Sequence, residues 1–165
     1  MKKLIFFLAA ILFLGCSKNV YNVSQNQQIP KNLSVIPFAN FTQTQLAGYK
    51  VAAITEGVLK SKGYNVTSSL WNYPEEDYTL NDIKNLIQNN PSRFIVTGYV
   101  NEYKYKAGID GEPAISITLK IYDKELHKDI YKATISAVGN SYDSLGVLTQ
   151  ENLEEVIASA PSSKK

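Results

Sequence analysis

"VTGYVNEYKYKAGIDGEPAISITLKIYD", residues 96–123, is the stretch on which the fold turns. Ile115, Ile117, Leu119 and Ile121 alternate with Ser116, Thr118 and Lys120. A period of two is the mark of a strand with one face buried and one face wet. Asp110-Gly111 is a hairpin signal directly before it. Upstream, residues 94–100 are apolar on both faces and predict a strand interior to a sheet. The run continues past the core, with Tyr99, Tyr103 and Tyr105 expected on one face and Glu102, Lys104 and Lys106 on the other. Downstream, Tyr131, Ala133, Ile135 and Ala137 alternate with Lys132, Thr134 and Ser136, and Leu126-His127-Lys128 makes the turn between these two strands. The stretch is thus read as the first hairpin of a three-strand meander.

Working outward, "NLSVIPFANF" holds an apolar run closed by Pro37 and Asn40, which reads as a buried strand. The period then changes. Ala47, Val51, Ile54, Thr55, Val58 and Leu59 fall on one helical stripe, with Glu56 and Lys60 paired four apart on the outer face and Gly63 as the residue that stops the helix. Residues 64–67 form a second short strand. Thr79 with Asp82 three later predicts the N-terminus of a second helix, whose stripe is Ile83, Leu86 and Ile87 and whose end is Asn89-Asn90-Pro91. A last helix over 143–158 presents Leu145, Leu148, Leu153, Val156 and Ile157. The predicted architecture is a single mixed α/β sheet of about five strands in the order β-α-β-α-β-β-β-α, with the helices on one face.

The first residues decide the compartment. "MKKLIFFLAAILFLGC" places Lys2 and Lys3 before an apolar run too short to span a bilayer, which needs about 20 residues. Residues 1–15 read as a signal peptide. Phe13-Leu14-Gly15-Cys16 resembles a bacterial lipobox, and Cys16 is the single cysteine of the chain. Acylation there makes the protein anchored to a membrane and leaves no thiol for disulfides or metal sites. Ser17 after the cysteine implies, by resemblance to other lipoproteins, the outer membrane. Residues 16–32 read as a lipidated, Ser/Asn/Gln-rich tether spanning on the order of 20 Å, residues 33–158 as one globular domain, and 159–165 as a frayed tail.

Composition narrows function. The chain has 165 residues, 44% hydrophobic and 19% charged, with net charge +2. Loss of Lys2 and Lys3 takes that to zero. A neutral domain with Arg93 as its one arginine is a poor candidate for nucleic-acid binding, and no nucleic-acid partner is expected. His127 is the one histidine, expected at the surface of a turn, so neither a His-based triad nor a His-rich zinc site is built. No cofactor or metal is expected. Asp110 and Glu112 are two residues apart on a Gly-rich turn. They make a turn and not a buried acid–base pair, which needs a raised pKa. Glu75-Glu76-Asp77 reads as a solvated loop. Both acidic runs acquire a further use if copies of the chain assemble and the loops line a shared surface.

Two stretches carry a resemblance. "LSVIPFANFTQTQLAGYKVAAITEGVLKSKGYNV" (33–66) is similar to the opening strand and helix of the lipoprotein superfamily that includes CsgG, LpoB and PelC, through its "PF-x-N" strand end. Residues 96–123 resemble the PelC family more specifically, in a "TG-x-V-x-E-aromatic" strand and a "Y-K-x-G-hydrophobic-D-G-E-P" turn. Tyr103 and Tyr142 stand where that family carries Trp. The resemblance implies a non-enzymatic lipoprotein of Pel-like exopolysaccharide export, assembled as a homo-oligomeric ring beneath an outer-membrane porin. It implies that Asp110, Glu112, Glu75, Glu76 and Asp77 guide the polysaccharide, and that Tyr142 and Tyr103 meet the membrane or a partner. Within the same superfamily, an LpoB-like activator of a penicillin-binding protein or another CsgG-type secretion component is the alternative.

Overall fold

The computed structural model describes residues 20–68, 70–107 and 111–161. One mixed sheet of seven strands runs β1 (Val20–Asn26), β7 (Lys128–Val138), β6 (Pro113–Asp123), β5 (Phe94–Tyr105), β2 (Asn32–Val35), β4 (Asn65–Ser68), and β3 (Ala39–Asn40) continues the line of β2 beside β5. The helices are α1 (Ala47–Ser61), α2 (Leu80–Asn89) and α3 (Leu145–Ala158). The mixed α/β class and the element order from β2 onward agree with the sequence reading, but there are seven strands, not about five. One of the additional two is β3. The other is β1, drawn from the segment read as a tether, which pairs antiparallel with β7 from Val20↔Ser136 to Asn26↔Tyr131. Composition suggested a linker because β1 is an edge strand in a stretch rich in Ser, Asn and Gln. Tyr21 and Val23 lean on the core.

The alternation in β6 and β7 is realised as expected. Ile115, Ile117, Leu119 and Ile121 face the core opposite Ala137, Ile135, Ala133 and Tyr131. Ser116 meets Ser136, and Thr118 meets Thr134, on the other face. The tyrosine stripe of β5 is different. A bulge between Val100 and Glu102 admits one extra residue, so Tyr99 pairs with Thr118 while Tyr103 pairs with Ile115. An unpaired residue reverses the facing of everything after it. Tyr99 is therefore on the polar face, and Tyr103 and Tyr105 on the other.

The helices also occupy both faces, where one was expected. β2 lies between β5 and β4, parallel to both. The chain moves outward from β2 to β4 through α1 and back across β2 to β5 through α2. Crossovers between parallel strands are right-handed, so reversing direction changes the face. Accordingly Val51, Val58 and Leu59 of α1 and Leu148, Leu153 and Val156 of α3 share one core with Val96, Val100 and Ile117. Ile83 of α2 forms a second, smaller core with Ile36, Ala39, Tyr78 and Ile95.

Local signals are met at the helix ends. Gly63 has φ +80°, and the Gly63 and Tyr64 amides donate to Lys60 and Leu59 carbonyls at 3.0 Å each, a complete Schellman stop. Thr79 and Asp82 cap α2 reciprocally. Ser144 caps α3 by accepting from the Val147 amide at 3.1 Å. Glu56, expected on an open helix face, is instead 7% exposed. It holds Lys60 at 2.5 Å and accepts from the Leu70 amide at 3.0 Å.

Candidate functional site

Open α/β sheets bind ligands in the crevice at the carboxyl ends of parallel strands, where the direction of winding reverses. Here that place follows β2, at "IPFAN". Phe38 is fully buried between two glycines. A Cβ at Gly48 would lie 2.1 Å from the Phe38 carbonyl oxygen, and one at Gly98 would lie 1.8 Å from that of Thr118 and 2.9 Å from the Phe38 ring. Thr97 Oγ1 donates to the Pro37 carbonyl at 2.8 Å. Asn40 then closes the crevice. Its Nδ2 donates to the Thr44 carbonyl at 2.8 Å and to Asp77 Oδ1 at 2.7 Å, while its Oδ1 accepts from the Thr42 amide and hydroxyl at 2.9 and 2.8 Å. Asp77 Oδ1 also receives the Leu46 amide at 2.8 Å, where Leu46 starts α1 with φ 61°. The "PF-x-N" signature is thus a structural lock that ties the end of β3 to the loop before α2 and to the start of α1.

Of the acidic residues singled out from the sequence, those that are described occupy two separate loops. Glu75, Glu76 and Asp77 lie on the exposed segment before α2. Asp77 is committed to Asn40 and Leu46. Glu75 and Glu76 project without a hydrogen bond or ion pair among the described residues. Their field is felt nearby: burial first, then Glu75 and Glu56, raise the Tyr49 phenol above its ordinary value. Tyr78 is pushed up to about 12, by burial and then by Glu76. Glu112 belongs to the β5–β6 hairpin, half-exposed, with Lys106 Nζ 3.5 Å from its carboxylate. Asp110 lies outside the described residues, as does Cys16. Among the described residues, no hydrogen bond or ion pair joins the Glu112 loop to the Glu75 loop.

Tyr142 and Tyr103, paired in the sequence reading, have opposite fates. Tyr142 is 99% exposed on the turn between β7 and α3. Tyr103 is 5% exposed, inside the main core beside Ile115, because the bulge turned it inward. It is packing and offers no surface. The hairpin end of the sheet gathers other exposed apolar groups: Tyr105, whose hydroxyl accepts from the Leu145 amide at 3.4 Å, Val147 in the first turn of α3, and Val20, where β1 begins opposite Ser136.

Sequence reasoning passed over three groups that matter. Asn40 was quoted only as a strand end. Arg93 grips Asp123 with Nε at 3.1 Å and Nη2 at 2.9 Å, and Asp123, 1% exposed, accepts from the Glu125 and Leu126 amides. Trp71 is 93% exposed beside α1. An Arg near an Asp thirty residues away gives no local signal, and neither does the exposure of a tryptophan. His127 does sit in the β6–β7 turn, with φ 51°.

No family model and no curated protein sequence matches this chain. Solved structures do. The PelC dodecamer from Paraburkholderia phytofirmans superposes with a TM-score of 0.69 at 21% identity, covering 89% of this chain and 100% of that one. Lipoprotein GNA1162 from Neisseria meningitidis superposes with a TM-score of 0.57 at 20% identity over 79% of this chain and all of its own. A hypothetical protein of Chlamydia trachomatis, CT253, reaches 0.51 at 13% identity. At these identities the likeness is one of architecture: the chain has a PelC-like fold.

Proposed function

We propose that this protein is a non-enzymatic lipoprotein on the periplasmic face of the outer membrane, which assembles as a closed ring and assists export of a Pel-like exopolysaccharide through an outer-membrane porin. The observation that carries this reading is the superposition on the whole length of a PelC chain whose own structure is a dodecamer. The geometry is compatible with it in two ways. A ring needs two different surfaces per copy, since a heterologous contact closes only by rotation. The strand order leaves β1 and β4 at opposite outer edges of one sheet. Glu75 and Glu76, without an ion pair among the described residues of one copy, repeat around such a ring and focus a negative potential that one copy cannot generate.

The position of β1 supports a short anchor. Cys16 stands four residues before Val20, and extended chain covers roughly 3.3–3.6 Å per residue. With Cys16 acylated, the hairpin end of the sheet lies within about 15 Å of the lipid. That end carries Tyr142, whose amphipathic ring suits the membrane interface. The domain sits against the bilayer and does not hang from a long tether.

The test is assembly and export together. The purified acylated chain is expected to form one large oligomer in light scattering. Glu75→Gln with Glu76→Gln is expected to preserve that oligomer and reduce secreted polysaccharide severalfold, with material retained in the periplasm. A monomer at high concentration, or unchanged secretion after deletion of the protein, refutes the reading.

A further inference from the structure

Trp71 poses a separate question. A tryptophan is the largest apolar side chain, and this one is 93% exposed among the described residues. It does not project from a featureless surface. It forms one wall of a cleft of about 310 Å³ between α1 and the 3-10 turn Leu70–Asn72. Ligand clefts begin near 300 Å³. The bed is apolar and smooth, made of Ala53, Leu70 and Gly57, and a Cβ built at Gly57 would meet nothing within 4 Å. Tyr49 closes one end, with its hydroxyl donating to the Leu70 carbonyl at 3.3 Å.

The polar complement is specific. Glu56 is buried at the base of the cleft and pairs with Lys60 at 2.5 Å. Glu56 also receives the Leu70 amide at 3.0 Å, which anchors the turn that carries Trp71. Glu75 also lines the cleft, is exposed and makes no hydrogen bond or ion pair among the described residues. Two carboxylates against one ammonium leave the cleft with one net negative charge.

A flat aromatic face, an apolar bed and a free carboxylate on the rim form one recognition set. The aromatic face takes the C–H side of a pyranose ring, and its π-cloud also attracts a cation. The carboxylate takes a hydroxyl or, better, an ammonium group by a charge-assisted bond. We propose that the Trp71 cleft is a saccharide subsite on the flank of the domain, with Trp71 as the stacking platform and Glu75 as the acceptor for the amino group of an aminosaccharide. The inference rests on the polysaccharide reading above and concerns the surface between α1 and the 3-10 turn Leu70–Asn72. It gives each copy in a ring its own point of contact with the polymer.

The chain has a single Trp, so its fluorescence reports on this cleft alone. The acylated full chain in phosphatidylethanolamine vesicles is titrated with a glucosamine tetramer and with its N-acetylated counterpart. The expected result is a saturable change in tryptophan emission with the amino tetramer, and binding about tenfold weaker in Glu75→Gln, where the acceptor loses its charge. Calorimetry on Trp71→Ala should show the binding lost, while Trp71→Phe retains part of it. No response to either tetramer overturns the subsite. An equal response to the N-acetylated tetramer overturns the assignment to amino sugars. An emission that shifts with protein concentration, and an oligomer that dissociates in Trp71→Ala, overturns it in favour of a contact between copies. Light scattering on the same samples separates the two readings: an intact oligomer with a silent Trp71 removes only the subsite, while a strict monomer removes the ring.

Discussion

At the scale of the residue, the most consequential groups do structural work that looks like function from a distance. Asp77 belongs to an acidic run, yet its carboxylate is the hinge pin between Asn40 and the first amide of α1. Asp123 is a buried acid with a shifted pKa, a combination that marks active sites as often as ion pairs. Here the Arg93 guanidinium is the main cause and holds the carboxyl below its usual range, helped by the Leu126 and Glu125 amides and opposed by burial. The sign follows. A depressed folded pKa contributes stability above the unfolded value of about 3.9, and that contribution is lost as pH falls through the folded value. Asp123→Asn is therefore expected to lower the thermal midpoint at pH 7, with the gap to wild type closing towards pH 2–3. Thermal melts across pH 2–8 check it, and a gap independent of pH would show that the charge of Asp123 contributes nothing.

At the scale of the element, caps and stops were written locally and realised locally. Thr79 and Asp82 exchange hydrogen bonds across the first turn of α2, and the Asp82 carboxyl is lowered chiefly by its bonds to Thr79. Thr79→Ala is expected to cost roughly 1 kcal/mol of stability in chemical denaturation, the usual worth of an N-cap side chain. The strand β1 is the opposite case. Its register with β7, the packing of Tyr21 and Val23, and the Tyr21 hydroxyl bonded to Glu155 bind a polar segment to the sheet edge. Hydrogen exchange by mass spectrometry is expected to show protection over residues 20–26 comparable to that of β7, where a tether would exchange at once. Exchange at the unprotected rate would remove β1 from the sheet and with it the short anchor.

At the scale of the whole molecule, the sheet has a direction. β1 begins, the β5–β6 hairpin turns, and α3 starts at one end, where Tyr105, Tyr142 and Val147 are exposed. Leu126 and His127 mark the other end. If acylated Cys16 seats the hairpin end on lipid, a reporter there must feel the bilayer. In a Trp71→Phe background, Tyr142→Trp on vesicles containing brominated lipid is expected to be strongly quenched, and Leu126→Trp to be left bright. The reverse pattern would seat the domain upside down, and equal quenching of both would deny it a fixed orientation.

Much of this was legible in the chain itself. The alternation over residues 113–138, the helical stripes, Gly63 and the Thr79–Asp82 box each depend on neighbours within a few residues, so periodicity and capping chemistry determined them without reference to the rest of the fold. Other features came from tertiary structure. One unpaired residue after Val100 moved Tyr103 into the core, because strand facing counts every residue and a bulge shifts the count. The handedness of two successive crossovers, which depends on strand order, sent α1 and α2 to opposite faces. β1 became a strand because β7 offered it an unpaired edge, and Trp71 faces a cleft because the turn that bears it is pinned to Glu56 fifteen residues earlier. Such features are set by contacts distant in sequence, whose energy no local pattern encodes.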